Sequence, residues 1–155
     1  MTRYLGAFGP ASPADVASFT GLTAGALARA LERMTLRRFV DERGNDLLDL
    51  PRAPLLDGET PAPVRFLPVW DATLLVQARR TQILPERYRP RIFNTKSPHS
   101  FHTFLVDGQV AGIWRHDHAK GKIVLEPFEP LSRKTRRALD DEGEHMRELF
   151  ASPVP

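Results

Sequence analysis

The sequence predicts an α+β fold: a winged helix-turn-helix, then a small antiparallel β-sheet or partial barrel with a C-terminal helix. Three observations carry this reading. Residues 1–55 are rich in Ala and Leu at helical spacing. Residues 64–150 carry Val, Ile, Phe and Trp in short runs cut by turn signals. Between them, Pro51 to Pro63 holds four prolines and Gly58, the composition of an irregular linker. The expected boundaries are a winged-helix domain over 1–52, a linker over 53–63, and a β-barrel-like domain with its C-terminal helix over 64–155.

The first helix places Tyr4, Leu5 and Phe8 on one face and ends at Gly9-Pro10. Ser12-Pro13-Ala14-Asp15 then starts a second helix, with Ser as N-cap, Pro at the first helical position and Asp in the first turn. Val16 and Phe19 are its expected apolar face, and Gly21 ends it. Thr23 caps a third helix, Ala24 to about Met34, with Leu27, Ala30, Leu31 and Met34 at core spacing. Val40 through Leu50 reads as two short strands around Arg43-Gly44-Asn45, a hairpin signal. The order is helix, short helix, tight turn, helix, hairpin: a helix-turn-helix plan with a wing.

In the second region, Val64 to Asp71 reads as a strand entering a turn, and Ala72 to Gln77 as a short helix with Leu74 and Leu75 inward. Ile92-Phe93 reads as a short strand. Phe101–Val106 and Gln109–Arg115 flank Asp107-Gly108, a strong tight-turn pair. Trp114–Asp117 leads to Lys122–Phe128 through a turn near Lys120-Gly121. Ser132 caps a last helix to about Phe150, with Leu139, Met146, Leu149 and Phe150 on its apolar side.

Composition bounds the chemistry. The 155 residues contain no cysteine, which excludes disulfides, zinc–thiolate sites and cysteine nucleophiles. No apolar run approaches a membrane span, and the start Met1-Thr2-Arg3-Tyr4 lacks an apolar signal core, so a cytoplasmic protein is expected. Net charge is +3, a weak field that allows nucleic-acid binding without demanding it. Of the 22 basic residues, 18 are arginine, whose planar fork of donors suits phosphate; a GC-rich coding bias explains the same count.

The third helix is the expected recognition helix. Arg29 and Arg33 lie on its polar face, Thr23 at its start, and Arg37 and Arg38 just beyond it; the wing tip offers Arg43 and Asn45. Against this stand Glu32, Asp41, Glu42, Asp46 and Asp49, which nearly cancel the basic charge, and scaffolding is the plain alternative. The second hairpin adds Arg115, Lys120 and Lys122 as backbone contacts.

Other clusters favour structural roles. His99, His102, His116 and His118 make a four-histidine set that nothing forces together, so no metal and no cofactor is expected. Asp71 reads as a helix cap or an arginine partner before it reads as a general base. Trp70 and Trp114 have the π-faces to stack on bases, but their apolar strands favour the core. Arg133-Lys134-Thr135-Arg136-Arg137 opposes the helix dipole at the start of the last helix, with Arg136–Asp140 and Arg137–Asp141 as candidate i,i+4 pairs.

Three stretches resemble one known family. Arg3–Asp15 resembles "RYL-x-x-[YF]-GP-A-[TS]-P-x-D", Arg65–Asp71 resembles "R-LLP-x-[FW]-D", and Leu105–Arg115 resembles "L-V-D-G-x-V-x-G-x-W". These are elements of a bacterial winged-helix DNA-binding family that includes the DNA glycosylases that unhook interstrand crosslinks. Full-length members carry tandem winged-helix units and a C-terminal barrel-like domain, and this chain resembles the last winged helix and that barrel. The resemblance implies a DNA partner, duplex or lesion-bearing. It also implies either a protein partner or further N-terminal winged-helix units. In glycosylase members, catalysis is attributed to a Gln-x-Gln or Gln-x-Asp motif of an N-terminal unit. Gln77, Gln82 and Gln109 form no such pair here, so no catalytic residue carries over.

The favoured expectation is a non-catalytic DNA-binding protein, with a DNA glycosylase or a fragment of one as the alternative. A protein-interaction module is the third reading, which a broad apolar patch near Leu5 and Phe8 would favour.

Overall fold

A computed structural model describes residues 1–75, 80–93 and 100–151. Contacts divide the chain into two compact units, Met1–Thr60 with Ala72–Arg80, and Pro61–Asp71 with Thr81–Pro155.

The first unit contains helices α1 (Thr2–Phe8), α2 (Pro13–Thr20) and α3 (Ala24–Glu32), the hairpin β1 (Arg37–Val40) and β2 (Asp46–Asp49), and the short helix α4 (Ala72–Leu75). Ser12 caps α2 by a reciprocal pair: its hydroxyl accepts from the Asp15 N–H, and the Asp15 carboxylate accepts from the Ser12 N–H. Gly21 closes α2 in the left-handed region at φ 68°, which turns the chain at once into the Thr23 cap of α3. Tyr4, Leu5, Ala11, Val16 and Leu27 form the core, with Phe8, Leu31, Met34, Leu36 and Leu50 around them. Leu5 is therefore buried and Phe8 half-buried, so of that pair Phe8 alone adds to the surface. Phe19 departs from expectation the other way: it is 52% exposed, lying against Tyr4 and Phe8 at the rim.

β1 and β2 pair antiparallel, Arg37 opposite Asp49 and Val40 opposite Asp46. Ala11 bridges to Leu48, which fastens the hairpin to the chain entering α2. Asp49 is buried rather than a surface charge. A Cβ on Gly9 would come within 2.4 Å of the Asp49 Oδ1, so glycine is what lets the two segments meet.

The second unit holds a four-stranded antiparallel sheet in sequential order β3 (Arg65–Leu67), β4 (Thr103–Val106), β5 (Gln109–Asp117) and β6 (Lys122–Pro127). Asp107 and Gly108 both have positive φ, 51° and 73°, as a tight turn of the primed kind demands. The register shifts after Phe104, so that Phe104 faces Gly112 and Leu105 faces Val110. The helix α6 (Arg133–Ala151) covers one sheet face, burying Phe104, Trp114 and Leu139 with Phe66, Val106, Ile123, Leu125 and Met146 around them. Ser132 accepts from the Thr135 N–H at the start of α6, the expected cap. The side chains of Leu149 and Phe150 lie outside the described residues.

A further segment contains the single turns Arg80–Gln82 and Glu86–Tyr88 and the helix α5 (Arg89–Ile92). Leu84, Tyr88 and Ile92 are buried there. Ile92-Phe93 is thus not a strand. Pro90 sits in the first helical turn, where its fixed φ favours a helix start, and only Phe93 makes an isolated bridge, to Ser100. Helix α4 is described over Ala72–Leu75, with Leu74 buried and Leu75 exposed rather than inward; Gln77 lies outside the described residues. Trp70 is not in the core either. The strand stops at Leu67, and Pro68 starts an exposed turn.

Candidate nucleic-acid interface

In the first unit, the α2–α3 turn and the β1–β2 hairpin set the candidate contacts. Thr23 caps α3, its hydroxyl oxygen accepting from the Ala26 N–H at 3.4 Å. Arg29 and Arg33 are exposed, Arg29 on α3 and Arg33 at its C-cap. Arg38 is exposed on β1 and lines a cavity of about 190 Å³ with Leu31, Met34 and Asp46 among its walls. These three guanidinium groups stand in reach of solvent, the condition for phosphate contact.

Arg37 and Asn45 are placed differently. The Arg37 guanidinium donates to the Pro51 carbonyl at 2.6 Å and to the Ala53 carbonyl at 3.5 Å, tying β1 to the chain after β2. It also lies 5.8 Å from the Phe39 ring centre. Asn45 donates to Asp41 through its side-chain amide at 2.8 Å and through its backbone N–H at 2.7 Å. Those bonds, with the Arg43 N–H and charge beside them, hold the Asp41 carboxyl below its ordinary range. Arg43 projects at the exposed tip, while Asn45 is half-buried beneath it.

In the second unit, Arg115 is exposed on β5, and Lys120 and Lys122 frame the β5–β6 turn. The Lys120 N–H donates to the Asp117 carboxylate at 3.2 Å, and Gly121 takes φ 59° to close the turn. The two lysines rim a cavity of about 420 Å³ between the hairpin and α6, walled also by Ile123, Leu139, Asp140 and Arg147. His116 and His118 meet through their Nδ1 atoms at 3.1 Å. His102 packs instead on Trp114, 4.4 Å between ring centres, and burial lowers its pKa. His99 lies outside the described residues. Among the described residues, no group of three or more His, Asp or Glu is placed to hold a metal ion.

On α6, the exposed Arg133, Lys134, Arg136 and Arg137 form a basic start. The i,i+4 pairs with Asp140 and Asp141 are not formed; the ion pairs of α6 among the described residues are Arg147–Glu144, Arg65–Glu142 and His145–Glu142. Asp71 directly precedes α4 and is half-buried. Gln109 opens β5, exposed, and Gln82 lies in the first single turn.

Sequence reasoning missed an aromatic–cationic stack on the second unit. Tyr88 and Phe128 pack with ring centres 4.6 Å apart and planes tilted by 45°, Arg87 lies 4.6 Å over Tyr88, and Arg91 lies 4.0 Å over Phe128. Glu129 accepts from the Tyr88 hydroxyl and from Arg87, which lowers its pKa. The signal was the recurrence of Arg-Tyr-Arg-Pro-Arg opposite Glu-Pro-Phe-Glu, two stretches far apart in the chain.

The sequence profile of the family described as DNA glycosylase AlkZ-like matches residues 1–149. The chain belongs to that family. Among solved structures it is similar to the Streptomyces sahachiroi DNA glycosylase AlkZ, with TM-score 0.78 and 21% identity. That similarity covers 99% of this chain and 43% of the other, so the chain spans less than half of that structure's length. No curated protein matches the chain. The described residues include no helix long and apolar enough to cross a membrane.

Proposed function

We propose that this chain is a DNA glycosylase or the DNA-holding part of one, engaging duplex or lesion-bearing DNA mainly through its backbone and shape. The observation that carries the reading is the family match over residues 1–149. On this reading residues 1–52 form the last winged helix of such an enzyme, α3 is its recognition helix, and residues 64–155 are the barrel-like companion domain. Arg29, Arg33, Arg38 and Arg43 support it, since their side chains are exposed where that plan needs phosphate contacts. Arg115, Lys120 and Lys122 serve the same end on the second unit. Thr23, Arg37 and Asn45 position the helix, strand and wing tip that carry the contacts.

The sequence has no Gln-x-Gln or Gln-x-Asp pair. Two assays divide the reading. The first titrates a labelled duplex at low and moderate salt, where binding is expected and is expected to weaken as salt rises. The second incubates the chain with alkylated duplex and measures released base. Release assigns the whole glycosylase activity to this chain, and binding without release assigns it the DNA-holding part. No binding at low salt overturns both.

A further inference from the structure

We propose that Trp70 is a stacking platform for a DNA base that has left the duplex stack. The inference rests on the DNA-repair reading above and adds a contact to a base, where that reading has contacts to backbone.

The two tryptophans have opposite fates. Trp114 is buried, and its indole N–H donates to the Leu67 carbonyl at 3.1 Å. Trp70 is 49% exposed. A tryptophan half open to water gives up about half of the burial that makes it useful to a core. Its backbone is also held at φ 59°, a left-handed conformation that bulky residues rarely adopt. Apart from glycines, Asp107 is the other described residue with positive φ, and it sits in a tight turn. Trp70 therefore combines a left-handed backbone with a half-exposed side chain.

The residue is partly packed and partly open. β3 ends at Leu67 and Pro68 follows, so the turn bearing Trp70 leaves directly from a sheet strand. The Phe93 ring lies beside the indole, 6.4 Å between centres. A half-exposed tryptophan leaves indole surface for a partner. Every base offers a matching face, and such stacking tolerates any sequence. Enzymes that act on a base inside duplex DNA must first take it out of the stack, which exposes base faces that need a partner.

The test uses the full chain, a short duplex with one abasic site, the same duplex intact, and the corresponding single strand. W70A is expected to weaken binding to the abasic duplex and the single strand by about tenfold or more, and to the intact duplex by less than about twofold. W70F keeps most of the affinity. DNA is expected to quench the tryptophan emission of the wild type but not that of W70F, whose remaining Trp114 is buried. Wild-type binding with undiminished W70A affinity and no quenching overturns the stacking and leaves the DNA reading standing. An equal loss on all three DNAs also overturns it, because a plain surface contact does that. If W70A does not fold, the W70F quenching comparison decides alone. A wild type that binds none of the three overturns both readings.

Discussion

At the scale of residues, Tyr4 carries a measurable consequence. Its phenol is pushed up to about 12, first by burial and then by the charge of Asp15. In the unfolded chain it ionises near 10.0. A raised folded pKa means stability that is complete below pH 10 and declines as pH climbs toward 12. Melting temperature followed from pH 9 to 12 is expected to fall more steeply for wild type than for Y4F. Thr103 is the opposite case: fully buried, with a hydroxyl that finds no partner among the described residues. Replacing it by the near-isosteric valine removes a desolvated polar atom. T103V is expected to be neutral or more stable by about 1 kcal/mol in urea denaturation. Neither property was visible beforehand, because both depend on which neighbours the fold brings up.

At the scale of elements, the devices that start and stop segments were legible because they are local. Ser12-Pro13-Ala14-Asp15 contains a complete capping box, and Asp107-Gly108 a complete tight turn. S12A is expected to cost about 1 kcal/mol, read as a shift of the denaturation midpoint. Gly112 shows the limit of such reading. The sequence offers it as one letter of a resemblance, while the structure gives its reason. A Cβ there would lie 2.4 Å from the Phe104 ring and 2.6 Å from the Glu126 carbonyl oxygen. G112A is expected to destabilise by about 1–3 kcal/mol, with Phe104 forced to shift. The misread elements share a cause. Ile92-Phe93 and Val69-Trp70 are short apolar stretches, which periodicity alone cannot assign to strand, helix or turn. In both, a proline redirected the backbone.

At the scale of the whole molecule, charge is the property that reaches a partner. The net charge of +3 is small, so the distribution matters more than the sum. Neutralising exposed arginines of α3 tests the proposed function directly. The double variant R29Q/R33Q is expected to weaken duplex binding and to lower the slope of log affinity against log salt by about 2, with no change in melting temperature. R37Q is expected to lower the melting temperature, because its guanidinium is spent on the Pro51 and Ala53 carbonyls. Comparing the two variants separates arginines proposed to meet DNA from one that ties β1 to the chain after β2.

Local chemistry explains the division between what could be read and what could not. The sequence by itself determined the first three helices and their hairpin, the later hairpins and last helix, the caps, the positive-φ turn at Asp107-Gly108, and the absence of cysteine chemistry. Each rests on residues within a few positions of one another, or on composition. The tertiary structure decided which candidate side chains remain exposed. It set Arg29, Arg33 and Arg38 at the surface, bound Arg37 and Asn45 to their neighbours, buried Asp49 against Gly9, and left Trp70 half exposed. Exposure and hydrogen bonding across distant segments are set by packing, and no short window of sequence encodes which distant segment will arrive.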